Sequence, residues 1–338
     1  MCGGRVAEAA VEGSRWWIRR GAPRAALRLT TNGDGATMSG MDRAYTFSGN
    51  MLDRALGMRR DAAWVHALHA HPEARYLPMR ELNAAARVGD ALRLAWLGHE
   101  VVREWSPEGE TVLLGLYEGM PHFAISGDAM AEAAAWQGIE FTEARTLGTN
   151  LPAGEAGIVA QARTMMDWHA SHRFCGQCGA PTQSVEGGAR RVCTNCGART
   201  YPHVSPSIIV VVHDGERALL ARRPRGVKNR FSCLAGFMEP GESLEECVAR
   251  EVFEESRIRV RNVRYHGSQP WPFPGNLMVG FMAEAATTDI EVDGEEIAEA
   301  RWFPRDEVQR AVSGTNPELT VPDGLSISHH LIADWANG

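Results

Sequence analysis

A short stretch in the second half of the chain, GFMEPGESLEECVAREVFEESRI (236–258), concentrates carboxylates in a pattern suited to chemistry. Ser243 and Glu246 have the spacing of a capping box, which marks the N-terminus of a helix. The preceding Pro-Gly pair is typical of a turn. We therefore expect a helix that begins at Leu244 and carries the carboxylates that follow.

Three of these carboxylates lie on one face of the expected helix. Glu251, Glu254 and Glu255 stand at positions i, i+3 and i+4, and like charges this close destabilise a helix unless a cation neutralises them. Mg²⁺ and similar hard cations take oxygen ligands and bridge to phosphates. The spacing indicates a divalent-metal site, with a solvated acidic face as the alternative.

Two Cys-x-x-Cys pairs, each followed by glycine, lie upstream in CGQCGAPTQSVEGGARRVCTNCG. The glycines, Gly179 and Gly197, suit the positive φ of a zinc knuckle. No secretion signal is recognisable, so metal binding is favoured over a disulfide pair. Because four thiolates would fill a tetrahedron, the zinc would be structural. The predicted ligands are Cys175, Cys178, Cys193 and Cys196.

The segment SQPWPFPGN (268–276) alternates prolines with Trp271 and Phe273. Proline excludes a helix or a central strand here, so we expect a stiff loop that presents aromatic faces. Such faces stack on nucleobases. The residues alone leave open whether the loop binds a base or fills a core or dimer contact.

The scaffold around these segments shows mixed α and β patterns. Residues 111–119 and 122–126 predict paired strands around a Gly-Met-Pro turn, with helical stretches near 81–88 and 127–137. A helix with Ile158, Ala162, Met165 and Met166 on one face leads into the cysteines. VSPSIIVVVHDGERALLARRP then predicts two strands joined by an Asp-Gly turn beside the acidic helix.

Composition narrows the classes of function. The net charge of −7 and a pI near 6.0 argue against a broad face for duplex nucleic acid. No apolar run reaches 18 residues, which predicts no membrane span. Residues 1–40 are rich in Arg and Gly and predict a poorly ordered extension; a transit peptide and a true start at Met41 are alternatives. The expected compartment is the cytoplasm.

The acidic segment resembles the Nudix box, GX5EX7REUXEEXGU. Gly236, Glu242, Arg250-Glu251 and Glu254-Glu255 match it in order, and the departure is Arg257 where the pattern has Gly. A Gly there would suit a left-handed residue that closes the helix, so Arg257 is expected to cost about 1 kcal/mol. The chain thus resembles the Nudix hydrolases, which cleave nucleoside diphosphates linked to another moiety.

The cysteine ribbon upstream and SQPWPFP downstream together resemble the NADH pyrophosphatase branch, from about residue 41 to the end. The resemblance implies an α+β chain in which an α/β/α Nudix sandwich follows a zinc ribbon and an α+β N-terminal domain. After the extension (1–40) expected from composition, the segments are an N-terminal domain (41–151), a linker helix (152–172), a zinc ribbon (173–204) and a Nudix domain (205–338).

The same resemblance implies hydrolysis of NADH, and less well of NAD⁺, to nicotinamide mononucleotide and AMP, removal of NAD caps from RNA 5′ ends, and a homodimer. It implies Mg²⁺ or Mn²⁺ on Glu251, Glu254, Glu255 and Glu296, with Glu254 or Glu255 as the base. Gly236, Glu242 and Arg250 would be structural. Implied substrate contacts are Tyr201, Ala235, Phe237, Gln269, Pro270, Trp271, Pro272, Phe273, Pro274, Gly275, Asn276 and Ser328, with Asn276 and Ser328 departing from the usual residues.

Two other functions remain open from the sequence. One is hydrolysis of ADP-ribose or an oxidised nucleotide on the same fold, with SQPWPFP serving a dimer interface. The other is a catalytically silent RNA-binding protein, which the ribbon and the basic segment ARRPRG (221–226) support. The presence of all four acids and the net negative charge argue against the silent protein.

Overall fold

The N-terminal domain is built on a seven-stranded sheet. A computed structural model describes residues 44–89, 91–105, 110–127, 138–292 and 294–338, which all belong to one unit, Ala36–Gly338. The strand order is β3-β2-β1-β6-β5, with β4 on β1 and β7 on β2. The strands are β1 Arg75–Arg80, β2 Asn83–Arg87, β3 Arg93–Leu94, β4 Leu97–Gly98, β5 Thr111–Tyr117, β6 Met120–Ser126 and β7 Ile139–Thr142, and the helices are α1 Ala62–His69, α2 His99–Trp105 and α3 Ala144–Asn150.

Two local expectations in this domain need correction. The helix expected near 81–88 is wrong: Glu81 and Leu82 have φ of 50° and 63°, and they form a two-residue turn that pairs Arg80 with Asn83. Sheet pairing thus overrides the helix propensity of the three alanines in β2. The hairpin β5–β6 is confirmed, but its turn is Glu118-Gly119 rather than Gly-Met-Pro.

Some expectations fall outside the residues that the structure describes. These are the disordered extension (1–40) and most of the helix expected near 127–137. Within the described residues, no helix has the length and apolar character needed to cross a membrane.

A long helix, α4 (Ala153–Ser171), connects the N-terminal domain to a small three-stranded ribbon. Ile158, Ala162 and Met166 are buried on this helix, which confirms the predicted apolar face. The ribbon strands pair in the order β10-β9-β8. They are β8 Thr182–Val185, β9 Arg190–Cys193 and β10 Arg199–Thr200.

The C-terminal domain is an α/β/α sandwich, as expected. Its sheet has the order β14-β15-β11-β12-β16, with β13 on β11 and a parallel pair β11–β15. Alternate residues of β11 pack on opposite faces: Val210 against α5, and Val211 against α7. The elements are β11 Ser205–His213, β12 Arg217–Arg222, β13 Leu234–Phe237, α5 Leu244–Ser256, β14 Val260–Trp271, β15 Asn276–Ala285, β16 Glu299–Pro304, α6 Arg305–Val312 and α7 Ile327–Asn337.

The proline-aromatic segment is less of a loop than its sequence predicts. Ser268–Trp271 is the end of strand β14, and only 272–275 turn the chain into β15. Strand β14 lies at the edge of the sheet, where a proline without an amide hydrogen is tolerated. The prolines therefore exclude a central strand, as expected, but permit an edge strand.

Candidate active site

Helix α5 forms as its sequence predicts. Glu246 N donates to Ser243 Oγ at 3.2 Å, and Ser243 N donates to Glu246 Oε2 at 2.7 Å, so the capping box is complete. Val248 and Val252 are buried against the sheet. The helix ends at Arg257, whose φ of 60° is the left-handed conformation expected for that position.

The three carboxylates of α5 differ in burial. Glu254 is exposed, Glu251 is half-buried, and Glu255 is only 4% exposed. Burial, followed by the charge of Glu251, raises the pKa of Glu255 to about 8. Burial also raises the pKa of Glu251, although the Arg250 guanidinium opposes this. The site therefore favours a cation that would compensate these desolvated carboxylates.

Gly236 permits the close approach of Glu251 to strand β13. A Cβ at this position would lie 1.9 Å from the Glu251 carboxyl carbon and 2.1 Å from both of its oxygens. No side chain fits there without displacing the carboxylate. The glycine of the motif is thus explained by packing against a metal-ligand candidate rather than by a special backbone angle.

Arg250 braces the turn between β13 and α5. Its Nε donates to Glu242 Oε1 at 2.5 Å and its Nη2 to Glu242 Oε2 at 2.9 Å, a bidentate ion pair that lowers the pKa of Glu242 to about 2. Nη2 also donates to the Phe237 carbonyl, and Nη1 to Glu251 and Glu254, each at 2.9 Å. One guanidinium thereby orients the turn and two of the acids.

The donor set fits a divalent cation. Glu255 Oε2 is buried and has no hydrogen-bond partner, which leaves it available to a metal ion. The charge of Glu296 raises the pKa of both Glu251 and Glu255, so the fourth acid faces the same site. Among the described residues, no three carboxylates have oxygens within 4.8 Å of one another. Arg250 Nη1 instead donates hydrogen bonds to the carboxylates of Glu251 and Glu254. Oxygen donors of this kind suit Mg²⁺ and Mn²⁺.

Two adjoining cavities open beside these acids, with volumes of about 700 and 840 Å³. Arg223, Ala235 and Trp271 line both of them. The first also contains Glu255, and the second contains the predicted residues Glu251, Glu296, Phe237 and Asn276. The acids therefore form one centre that borders both cavities.

Part of the first cavity comes from residues that no motif indicated. Helix α3 of the N-terminal domain contributes Arg145, Thr146, Thr149 and Asn150, and the loop before α7 contributes Pro322, Asp323, Leu325 and Ser326. These positions are distant in sequence from the acidic helix and carry no recognisable pattern. Their contribution depends on how the two domains pack.

Trp271 and Phe273 connect the cavities to the N-terminal core. Their rings lie 5.3 Å apart, and each makes an edge contact with the buried Phe47. The Arg145 guanidinium carbon lies 5.0 Å from the Trp271 ring centre and 4.3 Å from that of Phe273. Trp271 therefore both packs in a core and lines the cavities.

Several predicted substrate contacts do not line either cavity formed by the described residues. Gln269 is fully buried, and Ser328 is 1% exposed with its hydroxyl 2.8 Å from that of Ser232. Tyr201 is 49% exposed and accepts a long hydrogen bond from Arg190. The others outside the two linings are Pro270, Pro272, Phe273, Pro274 and Gly275.

The four cysteines of the ribbon form a second candidate metal centre. Cys178 Sγ lies 3.4 Å from Cys193 Sγ and 3.5 Å from Cys196 Sγ, and Cys175 Sγ lies 3.7 Å from Cys196 Sγ. Tetrahedral zinc with bonds of about 2.3 Å requires sulfur atoms about 3.8 Å apart, whereas a disulfide requires about 2.05 Å. The distances match metal coordination and exclude the disulfide alternative.

The backbone of the ribbon favours the thiolate form of Cys193. Gly179 and Gly197 both have φ of 72°, as predicted for knuckle turns. The amides of Cys196 and Asn195 donate to Cys193 Sγ at 3.4 Å, and hydrogen bonds from these amides lower the pKa of Cys193 to about 6. A thiolate is the form that binds a metal.

Comparisons with known proteins agree with this arrangement. The NUDIX domain model matches residues 203–321, the NADH pyrophosphatase zinc ribbon domain matches 170–201, and the NADH pyrophosphatase-like rudimentary NUDIX domain matches 73–168.

Full-length relatives extend the similarity across most of the chain. The NAD-capped RNA hydrolase of Macaca fascicularis is 36% identical over 335 residues, covering 86% of this chain and 72% of the relative. The NAD-capped RNA hydrolase NudC of Mycobacterium bovis is 38% identical over 300 residues, covering 84% of this chain and 92% of the relative. That of Pseudomonas syringae is 41% identical over 239 residues, covering 70% and 79%.

Proposed function

The chain belongs to the NADH pyrophosphatase family of Nudix hydrolases, and from this premise we propose that it hydrolyses the pyrophosphate of NADH, of NAD⁺ and of NAD caps on RNA 5′ ends. The products would be nicotinamide mononucleotide, in its reduced form from NADH, and either AMP or RNA with a 5′ monophosphate. The observation that carries the proposal is the buried, unpartnered oxygen of Glu255, a residue that lines the first cavity. That oxygen lies where a bound pyrophosphate and its cations would meet the helix.

The two cavities support a dinucleotide as the substrate. Each has the size of a small-molecule site, and they meet at Ala235 and Trp271. A pyrophosphate near this junction would leave one nucleotide for each cavity. The aromatic rings of Trp271 and Phe237 offer stacking surfaces for the bases.

The acids of α5 and Glu296 would hold Mg²⁺ or Mn²⁺. When bound, such an ion screens the phosphate oxygens and lowers the pKa of a water molecule. Glu254 or Glu255 accepts the proton of the attacking water. Arg250 keeps the turn before α5 in place, and Gly236 allows Glu251 to lie against the strand.

The zinc ribbon would bind one Zn²⁺ per chain in a structural role, because protein thiolates supply all four ligands. Assembly and location are further proposals. We propose a homodimer in the cytoplasm, in which Ala235, Phe237, Trp271 and Asn276 of the cavity linings, together with the exposed Tyr201, contact the substrate. Duplex nucleic acid is not proposed as a substrate. Sedimentation of the purified chain tests the homodimer.

The direct test is product analysis by mass spectrometry with Mg²⁺ or Mn²⁺. NADH, NAD⁺, ADP-ribose and an NAD-capped oligoribonucleotide are the substrates, and Glu255→Gln, which removes the charge but keeps the shape, is the matched control. We expect reduced nicotinamide mononucleotide from NADH, nicotinamide mononucleotide from NAD⁺ and from the capped RNA, and at least about 100-fold less product from the variant. Equal activity of the variant, or cleavage of ADP-ribose alone, would contradict the proposal.

A further inference from the structure

A third cavity, here named the ribbon cavity, lies between the N-terminal domain and the zinc ribbon and has a volume of about 840 Å³. Its walls are the helical turn Met58–Arg60, helix α1, the start of β5 and the hairpin β8–β9. No residue lines both this cavity and either catalytic cavity. Because its size is typical of small-molecule sites, the ribbon cavity can hold a whole ligand.

Close packing of the ribbon hairpin on β5 fixes the walls of the ribbon cavity. Leu113 N donates to the Gly187 carbonyl at 2.9 Å. A Cβ at Gly188 would lie 3.0 Å from Val112 Cγ1, so the glycine permits this approach. The buried His169 of helix α4 donates from Nε2 to the Gly188 carbonyl at 2.9 Å. These contacts join protein atoms only, so the walls are in place before a ligand enters.

The lining of the ribbon cavity is positively charged, although the net charge of the protein is −7. Glu186 is paired with Arg190 at 2.6 Å, and Glu110 with Arg191 at 3.2 Å. Among the described residues, no carboxylate lies within 4.0 Å of the three remaining arginines of the lining. The protein thus leaves part of this positive charge uncompensated. The charged residues of the lining are Arg59, Arg60, Arg190, Arg199, Glu110 and Glu186.

Arg59 is the strongest indication of an anionic ligand, because it is only 4% exposed. Its guanidinium donates to the carbonyls of Arg54 at 2.6 Å, Leu114 at 3.3 Å and Gly187 at 3.4 Å. These acceptors are neutral, whereas a buried charge is normally paired with an opposite one. Burial, followed by the charge of Arg54, lowers the pKa of Arg59 to about 10. An anion in the ribbon cavity would supply the missing countercharge.

The rest of the lining suits the uncharged part of a nucleotide. Val65, Val185 and Val192 are half-buried and offer apolar contacts. Gln183 and Ser184 add side chains that both donate and accept hydrogen bonds. Small-molecule sites typically combine apolar surface with a few polar groups in this way. The ribbon cavity is therefore suited to an anion that carries an organic group.

Phosphate monoesters match several arginines well, because their charge and three oxygens accept hydrogen bonds from more than one guanidinium. We propose that the ribbon cavity binds the phosphate of a nucleoside monophosphate, outside the catalytic cavities. Arg60 of the N-terminal domain and Arg199 of the ribbon would contact this phosphate, and the buried Arg59 would stabilise its charge. The inference does not rest on the proposed hydrolysis, although AMP, a product of that reaction, belongs to this class of ligand.

The first test is calorimetric titration of AMP into the zinc-loaded full chain without Mg²⁺ or Mn²⁺. In Arg60→Ala/Arg199→Ala we expect the dissociation constant to rise at least about tenfold, because charge-assisted hydrogen bonds to the phosphate are lost. Both arginines are exposed, and Arg59 is left unchanged because it joins three segments of backbone. An unchanged dissociation constant in this variant would overturn the inference.

Two controls accompany the titration. Arg87→Ala/Arg93→Ala removes the same charge from exposed positions that line none of the three cavities, and it should bind AMP as the wild type does. Adenosine lacks the phosphate and should bind the wild type at least about tenfold more weakly than AMP. Equal losses in the two double variants, or equal affinities for AMP and adenosine, would contradict recognition of a phosphate in the ribbon cavity.

Hydrogen–deuterium exchange locates the bound AMP even if the alanine variant fails to fold. In the wild type, AMP should slow exchange in residues 58–66 and 183–192, which form the walls of the ribbon cavity. Slowing that is confined to α5 and the turn before it would place AMP in the catalytic region and overturn the inference.

Kinetics separate this inference from the proposed function. We expect kcat/KM of Arg60→Ala/Arg199→Ala for NADH to stay within about twofold of the wild type, because neither arginine lines a catalytic cavity. A wild type that binds AMP in the ribbon cavity but does not hydrolyse NADH would contradict the proposed function alone. A wild type that hydrolyses NADH but binds no AMP in the ribbon cavity would contradict the inference alone.

Discussion

At the residue scale, the position of the Glu251 carboxylate depends on the absence of a side chain at Gly236. Glu251 occupies the space where a Cβ of residue 236 would lie, so Gly236→Ala must displace a metal-ligand candidate. Changes in the surroundings of metal ligands typically lower metal affinity or activity about 10- to 100-fold. We expect a loss of that size in metal-dependent turnover of NADH.

The Gly236→Ala prediction is checked by titrating Mg²⁺ or Mn²⁺ while turnover is measured. The apparent metal affinity should fall, because Glu251 is moved rather than removed. Gly98→Ala is a suitable control, since a Cβ at Gly98 has no neighbour within 4 Å. Unchanged metal dependence in Gly236→Ala would show that Glu251 does not bind the cation.

At the element scale, the end of α5 tests the departure from the Nudix box. Arg257 has φ of 60°, which glycine adopts at no cost, and its guanidinium carbon lies 5.3 Å from the Phe253 ring centre. We expect Arg257→Gly to stabilise the protein by up to about 1 kcal/mol, or about 2–4 °C, because the cation–π contact offsets part of the strain.

A thermal melt and steady-state kinetics of Arg257→Gly test this prediction. The Arg257 side chain lines neither of the two catalytic cavities formed by the described residues. KM for NADH should therefore stay close to that of the wild type. Arg257→Ala removes the cation but keeps the backbone cost, and it should not raise the melting temperature. A large increase in KM for Arg257→Gly would instead indicate that the arginine binds phosphate.

The ribbon is the second element whose role can be measured. Cys178→Ser leaves three thiolates, and an incomplete site binds zinc far more weakly. We expect metal analysis to find about one zinc per wild-type chain and much less in the variant, with lower solubility. Cys233→Ser, at a buried cysteine outside the ribbon, is the control for loss of a thiol. Well-folded wild type without zinc would contradict this prediction.

The elements also show what could be predicted from the sequence. Local rules sufficed for the capping box of α5 and for the left-handed ends of the knuckles, because each depends on a few neighbouring residues. They failed for residues 83–87, where a partner strand distant in the chain decides the structure. The contribution of α3 to the first cavity could not be predicted for the same reason.

At the scale of the whole molecule, the N-terminal domain and the Nudix domain share a core. Trp271 and Phe273 pack on Phe47, and Arg163 of the linker helix donates to the carbonyls of Pro272 and Leu82 at 2.7 Å each. The sequence left open whether the proline-aromatic segment binds a base or fills a core. The structure shows core packing, and Trp271 also lines both cavities.

Gln269 gives the sharpest test of this shared core. Its Nε2 donates to the carbonyls of Thr46 (3.1 Å) and Leu325 (2.7 Å), and its Oε1 accepts from Ile327 N at 2.7 Å. Gln269→Leu would leave these backbone groups without their partner in the interior. Because an unsatisfied buried group costs about 1–3 kcal/mol, we expect a fall in melting temperature of at least about 4 °C.

The family resemblance instead assigns Gln269 to substrate binding, and the two roles give opposite results. If its amide joins the domains, Gln269→Leu lowers the melting temperature while KM for NADH, measured well below the transition, changes less than about twofold. The exposed Gln177→Leu controls for the side-chain change itself. An unaltered melting temperature with a tenfold higher KM would place the amide against the substrate. We expect the stability effect, because Gln269 is fully buried and all three of these contacts are to backbone atoms.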